Sequence, residues 1–245
     1  MVKKNKKPLI SIVALNWNGK KFIDPLVESV NKQILKNVDI EFLFVDNDSS
    51  DNSVDYFKKN YNQDNFFVVQ NNANYGYAKG NDLGIKQAKG DYILVCNNDL
   101  VMDAHLVQNL YDGLVKNDAD LVVPKLMFLN KPGYINNAGS VLDTSNSWPV
   151  SEIGFGEKDE GQYDQVKEIS AFCGACVLFT RDFLSTVGMY DDKFFMYFED
   201  SDLSWRGQDA DRRFFYIPEA LAHHHHTGTS VEGSKKFNYY VARNR

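Results

Sequence analysis

The segment YILVCNND, residues 92–99, governs the interpretation of this chain. Its apolar part, residues 92–95, is typical of a buried parallel strand. The strand ends in Asn97, Asn98 and Asp99, whose oxygen atoms suit a hard divalent cation with a phosphate beside it. The same residues also serve as ordinary turn and helix-capping residues. Their position at the end of a strand favours the metal site.

Strands and helices alternate along the first half of the chain. The pattern predicts strands at 9–15, 40–45, 66–70 and 92–96, with helices after residue 19, at 53–60, and from about 76 to 90. This order predicts a mostly parallel sheet with helices on both faces. Ligands bind at the carboxyl ends of the strands in such sheets. Four residues lie at those ends, namely Asn16, Asp46, Gly76 and Asp99.

The second half has a different character. A helix is expected at 103–117, a strand at 121–124, a strand-like run at 169–179 and another strand near 216–220. Between them, residues 130–168 are loop-like and rich in Asn, Gly, Ser and Asp. Such a long insert is more often functional than idle. We expect either an acceptor-side flap or an irregular surface excursion.

Two carboxylates, Glu199 and Asp200, precede a predicted helix. One interpretation is a general base that takes a proton from an acceptor hydroxyl. The alternative is simple charge complementation at a helix N-terminus. Asp202 and Arg206, spaced i,i+4, fit a structural ion pair.

Four consecutive histidines, residues 223–226, follow a likely strand. Because side chains alternate along a strand, one or two of them should face a site, and a neutral imidazole there is a plausible metal ligand. The others fit a solvated polar run. Asp46 fits either a base or ribose acceptor or a helix cap. Gly76, Lys79 and Gly80 do not form a phosphate-loop motif, although a glycine-rich backbone with one lysine can approach a diphosphate.

Composition narrows the function classes. The 245 residues carry a net charge of −6, which argues against a nucleic-acid binder. No apolar run approaches the roughly 20 residues that span a bilayer. Residues 1–7 form a basic tail that either frays in solvent or touches anionic lipid. Three cysteines form no disulfide framework, so we expect a cytoplasmic protein, and a place at the inner face of the membrane is the alternative.

These segments, taken in order over about residues 8–244, resemble the family 2 glycosyltransferases. The resemblance is closest to their bacterial rhamnosyltransferase-like branch. The segments that carry it are 11–19, 45–51, 74–81, 97–99, 172–175, 187–191, 194–203 and 218–226. It implies a GT-A-type fold, a nucleotide-diphosphate sugar donor, Mg²⁺ or Mn²⁺, and inversion at the anomeric carbon. It also implies a nucleotide-sugar-binding half at 8–125 and an acceptor-binding, catalytic half at 126–245.

The resemblance also implies roles for single residues. Asp200 matches the catalytic base, with Glu199 as its companion. Asp99 matches a metal ligand, His224 matches a second, and His225 is the alternative. Two asparagines replace possible aspartates beside Asp99, so metal affinity is expected to be modest. The donor-side residues are Ala14, Asn16, Asp46, Gly76, Lys79, Gly80, Asn97 and Asn98. On the acceptor side we expect Gly174, Ala175 and Trp148, although Trp148 fits a loop anchor equally well.

The function implied is transfer of a sugar to a hydroxyl of a cell-surface polysaccharide or lipid-linked glycan. We expect dTDP-rhamnose as the donor first and UDP-sugars next. A nucleotidyltransferase is one alternative, but residues 16–19 lack its basic glycine-rich loop. A non-catalytic nucleotide-sugar-binding module is another. Members of the family usually continue past residues 239–244, so acceptor binding or membrane contact is expected to lie partly outside this chain.

Overall fold

A ten-stranded sheet dominates the computed structural model, which describes residues 7–143, 150–226 and 233–245. Two further strands, β8 and β9, form a small separate pair. The twelve strands of the described residues are β1 Leu9–Asn16, β2 Asp39–Asp46, β3 Phe66–Gln70, β4 Tyr92–Asn97, β5 Leu100–Met102, β6 Leu121–Phe128, β7 Ile135–Asn137, β8 Ser140–Leu142, β9 Val150–Glu152, β10 Lys167–Ile169, β11 Cys176–Thr180 and β12 Phe214–His224. The helices are α1 Ile23–Asn31, α2 Ser53–Asn60, α3 Gly76–Gln87, α4 Leu106–Lys116, α5 Arg181–Thr186, α6 Glu199–Asp209 and α7 Lys235–Asn244.

The main strand order is β10-β12-β6-β11-β4-β1-β2-β3. β3, β2, β1 and β4 run parallel, and β6 and β12 run parallel to each other. β11 is antiparallel to both β4 and β6, and β10 is antiparallel to β12. The mostly parallel sheet flanked by helices is thus confirmed. The boundary expected at 125/126 falls inside β6, so both halves build one sheet, and their separate roles stay a prediction.

Alternation along the strands creates a core on each face of the sheet. Ile12 on β1 packs into the cluster that includes side chains of α1, α2 and α4. Its neighbour Val13 packs into the opposite cluster with side chains of α3, α5 and α6. Full burial of such an aliphatic side chain stabilises the fold by about 1.5–3 kcal/mol. The short apolar runs therefore read as strands because both of their faces are covered.

Several boundaries differ from the sequence-based expectations. The helix expected from residue 103 begins at Leu106, and the helix after residue 19 starts as a 3₁₀ turn, Lys20–Phe22. The run at 169–179 is not one strand: Ile169 ends β10, and β11 begins at Cys176. Between them the chain leaves the sheet, and the backbone N–H groups of Phe172 and Gly174 donate to Ser204 and Asp200 of α6. The 130–168 region contains the short strands β7, β8 and β9. Trp148 lies outside the described residues.

The end of β12 is held by two neighbours. β12 runs parallel to β6, but its register shifts between Ile217, which pairs with Pro124, and Leu221, which pairs with Lys125. Residues 218–220 are therefore extra on β12. Beyond this bulge, β12 pairs antiparallel with β5, so that His224 faces Leu100. None of the described helices has the length and apolarity needed to cross a bilayer.

Candidate active site

A cavity of about 530 Å³ opens at the carboxyl ends of the central strands. Its size falls within the range of roughly 300–1,000 Å³ that is usual for small-molecule sites. The cavity is lined by the loops after β1, β2 and β4, by the start of α6, and by the end of β12 and α7. Among the expected site residues, the cavity is lined by Gly76, Asn97, Asn98, Asp99, Gly174, Ala175, Glu199, Asp200 and His224.

Asp99 and His224 meet at one corner of the cavity. Oδ1 of Asp99 lies 3.1 Å from Nε2 of His224, and both side chains are buried. β5 follows Asp99 directly and pairs with the end of β12, which explains why residues 125 positions apart in sequence meet here. The amide of Asn97 lies 3.3 Å from the same Nε2 atom.

Asn98 is held by a hydrogen-bonded chain behind the cavity. Its amide donates to Oδ1 of Asn16 at 2.8 Å, and the Asn16 amide donates to Oδ1 of Asp46 at 3.0 Å. Oδ2 of Asp46 accepts from the backbone of Ser49 at 2.9 Å. Asn16 and Asp46 are buried and hold Asn98 from behind. A Cβ at Gly19 would collide with Asn98 and Asn16, so only glycine fits against this chain.

Asp200 and Glu199 lie in the first turn of α6 and face the cavity. Burial raises the pKa of Asp200, while hydrogen bonds from the backbone of Gly174 and Ser201 act in the opposite direction. Burial, and then the charge of Asp200, raise the pKa of Glu199 well above its ordinary range. Oε2 of Glu199 is buried and has no hydrogen-bond partner among the described residues. Asp200 accepts two backbone hydrogen bonds that stabilise its charged form, whereas Oε2 of Glu199 accepts none among the described residues, so Asp200 is the carboxyl group that ionises first.

The wall opposite the strands is formed by residues 195–197. The backbone carbonyl of Phe195 accepts from the N–H of Tyr77 at 2.6 Å. Gly76 has a φ of +78°, and a Cβ there would run into that carbonyl. Gly76 therefore permits a close backbone contact between α3 and the segment that leads into Asp200.

Helix α7 closes the remaining side and brings a cation into the cavity. Nζ of Lys236 lies 4.9 Å from the ring centre of Trp17 and 5.2 Å from that of Phe195. Among the described residues that line the cavity, it is the single lysine or arginine. The ring of Tyr240 stacks on Phe195 at 4.9 Å between centres. This lysine therefore supplies positive charge to a cavity that also holds three carboxylates.

The remaining expected residues lie elsewhere. Ala14 is fully buried in the core, and Gly80 allows α3 to pack against Leu15. Nζ of Lys79 lies 4.5 Å from the ring centre of Tyr75 rather than in the cavity. The ring of His225 packs edge-on against Phe22 and does not line the cavity, although the backbone N–H of His225 donates to the carbonyl oxygen of Asp99 at 3.0 Å.

Sequence reasoning missed several residues that line the cavity. The first group follows the strand ends and was within reach of the sequence, since the loops themselves were identified: Trp17, Asn47, Asn74 and Tyr77. The second group depends on tertiary packing and includes His226, Phe237 and Lys236. No local pattern signals that α7 returns to the site.

The donor atoms at Asp99 and His224 fit a divalent cation. Two ligands at right angles around an octahedral ion, with bonds of about 2.1 Å, are about 3 Å apart. The observed separation is 3.1 Å. Within the described ranges, no three His, Cys, Asp or Glu side chains converge to hold an ion by themselves. A cation here would need further ligands from phosphate and water, as Mg²⁺-type sites usually do.

Two characterised bacterial proteins are similar in sequence. Glycosyltransferase GlyG of Streptococcus pneumoniae serotype 4 is 34% identical over 116 residues, covering 47% of this chain and 38% of that protein. The poly-beta-1,6-N-acetyl-D-glucosamine synthase of Staphylococcus epidermidis is 28% identical over 216 residues, covering 86% of this chain and 48% of that protein. The chain thus spans less than half the length of these two relatives.

A solved structure of GalNAc-T7 with UDP, GalNAc and Mn²⁺ has the same fold, with a TM-score of 0.70 and 16% identity. The match covers 98% of this chain and 48% of that one. The expected GT-A-type fold is confirmed. The family model described as glycosyl transferase family 2 matches residues 11–188, which is most of the chain and includes β1, β4 and the Asp99 loop. The chain belongs to glycosyl transferase family 2.

Proposed function

We propose that this protein is an inverting glycosyltransferase that moves a sugar from a nucleotide-diphosphate donor to a hydroxyl of a glycan. One observation carries the proposal: a single cavity is lined both by Asp99 and His224, a pair suited to bind a cation, and by the buried carboxyl group of Asp200. The pair suits a leaving diphosphate, and the carboxylate suits an attacking hydroxyl. Transfer of a sugar from the diphosphate to the hydroxyl needs both the cation-binding pair and the base.

Asp200 acts as the general base. Its Oδ2 atom accepts from Gly174 at 3.1 Å and its Oδ1 atom from Ser201 at 2.8 Å, so the carboxylate is oriented before substrate arrives. It removes the proton of the acceptor hydroxyl as that oxygen attacks the anomeric carbon from the face opposite the diphosphate. Positioned bases of this kind contribute roughly 10²–10⁴-fold to rate. A single base without a carboxylate nucleophile is the arrangement expected for inversion.

Asp99 and His224 would hold the divalent cation. A bound cation would offset the charge that develops on the leaving diphosphate. Of the two expected ions we favour Mn²⁺, because Mg²⁺ strongly prefers oxygen ligands and His224 offers a nitrogen. Lys236 neutralises part of the same charge from the α7 side. Asn97 and Asn98, at the end of β4, contact the donor beside them.

For the donor we propose a pyrimidine nucleoside diphosphate sugar, with UDP-sugars favoured over dTDP-rhamnose because the GalNAc-T7 structure contains UDP. Asn47 and Trp17 line the part of the cavity next to the loops after β1 and β2. We propose that this part receives the nucleoside. A glycan acceptor agrees with the polysaccharide named for the Staphylococcus epidermidis relative. Gly174 and Ala175 lie beside Asp200 and are proposed to contact this acceptor.

The test begins with calorimetric titration of UDP, dTDP and GDP, with and without Mn²⁺. The wild type should bind one of them with Mn²⁺, and Asp99→Asn should remove the Mn²⁺ dependence. Asp200→Asn should keep nucleotide affinity within about threefold and lower sugar transfer by about 10²–10⁴-fold.

Two results would contradict the proposal. A transfer rate near wild type in Asp200→Asn would exclude Asp200 as the base. Mn²⁺-dependent nucleotide binding with no turnover of the matching sugar donor, on glycan acceptors or water, would favour a non-catalytic binding module.

A further inference from the structure

A buried asparagine on β7 contacts the histidine of the proposed cation site. Oδ1 of Asn136 lies 2.8 Å from Nδ1 of His224, on the side of the ring away from Asp99. Nδ2 of the same amide lies 3.4 Å from Nδ1 of His226. Asn136 is only 3% exposed and belongs to the irregular region between β6 and β11. Neither its burial nor its contacts follow from the sequence pattern.

The contact decides which nitrogen of His224 carries the proton. An amide oxygen can only accept a hydrogen bond, so Nδ1 of the imidazole must donate to it. In the neutral ring, Nε2 then keeps its lone pair, and Nε2 is the atom that faces Asp99 at 3.1 Å. If the amide were turned round, its NH₂ would donate to Nδ1 and the proton would move to Nε2, where it would block a cation.

We propose that Asn136 is a positioning residue that fixes the Nδ1–H tautomer of His224 and so presents Nε2 as a metal ligand. This inference rests on the proposed cation site at Asp99 and His224. Partners of this kind orient the imidazole and raise its basicity, and their loss typically weakens metal binding 10–100-fold. Asn136 itself does not line the cavity, so it acts through His224 rather than on the substrate.

Three variants separate this role from simple packing. Asn136→Leu keeps the size and removes the acceptor, while Asn136→Asp keeps the acceptor oxygen. Asn137→Ala is the matched control, because Asn137 is equally buried on β7 and its side chain bonds, among the described residues, to Gly139 and Ser140 rather than to a histidine. If Asn136 only fills space, Asn136→Leu should disturb the His224 tautomer and the Mn²⁺ affinity least of the three variants.

The first measurement needs no metal. ¹⁵N-histidine NMR spectra of the full chain at pH 8 report the tautomer of each ring, and His224→Gln identifies the His224 signals. We expect Nδ1 of His224 to be protonated in the wild type and in Asn136→Asp, whether or not Asp99 also holds a proton on Nε2 in the metal-free protein. Asn136→Leu should lose the proton on Nδ1 and leave it on Nε2 beside Asp99. A wild-type ring with an unprotonated Nδ1 would overturn the inference.

The second measurement titrates Mn²⁺ alone and follows the free-ion EPR signal. The Mn²⁺ site of interest is the one that Asp99→Asn abolishes. Asn136→Leu should lower the Mn²⁺ affinity of this site at least tenfold, while Asn136→Asp and Asn137→Ala should keep its affinity within about threefold of the wild type. Equal affinity in Asn136→Leu and the wild type would refute the role of Asn136 alone. A wild type without any Mn²⁺ site sensitive to Asp99→Asn would instead refute the cation site on which the inference rests.

Discussion

The backbone N–H of Gly174 donates a 3.1 Å hydrogen bond to Oδ2 of Asp200. The loop before β11 therefore holds one oxygen of the carboxylate in place, and the start of α6 holds the other through Ser201. Both bonds stabilise the charged form, but burial outweighs them and the pKa of Asp200 is raised. The carboxylate is thus both oriented and made more basic than an exposed aspartate.

This balance predicts the pH dependence of the reaction. The base works only when it is unprotonated, and an ordinary aspartate has a pKa near 3.9. Because the pKa of Asp200 is raised, kcat/KM should fall on the acid side at a pH above that value. Steady-state rates between pH 4 and 8 measure it. Activity that stays flat down to pH 4 would contradict the raised pKa. The residual activity of Asp200→Asn should not show this fall in kcat/KM on the acid side.

Glu199→Gln should stabilise the protein at pH 8 and leave it nearly unchanged at pH 4. The pKa of Glu199 is raised in the folded state, first by burial and then by Asp200. A carboxyl group whose pKa is higher folded than unfolded costs stability as pH rises above the unfolded value of about 4.3. Glutamine cannot ionise and avoids that cost.

Urea unfolding at the two pH values gives the comparison for Glu199→Gln. Glu168→Gln, at an exposed position on β10, is the control and should show no such pH dependence. A Glu199→Gln variant less stable than the wild type at pH 8 would mean that the ionised carboxylate is compensated in the folded protein.

Lys236→Met should weaken UDP binding about three- to tenfold and leave uridine binding unchanged. Methionine keeps the contact with Trp17 and Phe195 but removes the charge that would meet the diphosphate. Calorimetry with the two ligands separates the phosphate contribution. Lys235→Met changes the neighbouring exposed lysine and serves as the control. Equal losses for UDP and uridine would mean that Lys236 only shapes the wall of the cavity.

Asn244→Ala should loosen the segment that leads into Asp200. The Asn244 amide donates to the carbonyl oxygens of Met196 at 2.9 Å and Tyr197 at 2.8 Å. Tyr197 and Phe198 have φ values of 68° and 71°, which cost energy for residues other than glycine and persist only where the surroundings hold them. Two such hydrogen bonds contribute about 1–3 kcal/mol.

Hydrogen exchange of residues 193–199 measures this loosening, and kcat should fall with it. Asn238→Ala is the matched control, since Asn238 lies on the same helix and its side-chain amide bonds, within the described residues, to Gly233 rather than to the 193–199 segment. Unchanged exchange in Asn244→Ala would mean that the aromatic contacts of Tyr240 hold the segment without help.

The sequence predicted the sheet well because both faces of its central strands β1, β2 and β4 are buried, whereas the edge strand β3 is only half-buried. Each apolar run followed by polar residues marks a strand and the loop at its end, as in β1, β2, β3 and β4. This local pattern was enough to find Asn97, Asn98 and Asp99. Asp200 was found from its place at a helix start. Lys236 and Asn136 were not found, because each reaches the site through a packing contact that no local periodicity records.

The histidines show the same limit more sharply. Alternation along a strand predicts that one or two of residues 223–226 face the site, but not which. Residues 218–220 interrupt the pairing of β12 with β6, so counting from Phe214 does not give the orientation at the far end. The pairing beyond the bulge, of His224 with Leu100 on β5 and with Phe128 on β6, decides it.

The bulge at 218–220 therefore determines which of four chemically identical side chains lies opposite Asp99. Because the interruption contains an odd number of residues, removing one of them would turn the strand beyond it by one position. If the bulge kept its length and the far part of β12 slid by one position along β6 and β5, His225 would take the place of His224 opposite Asp99 and beside Asn136. Such a slide would change the ligand set without changing the chemistry of any other residue that lines the cavity.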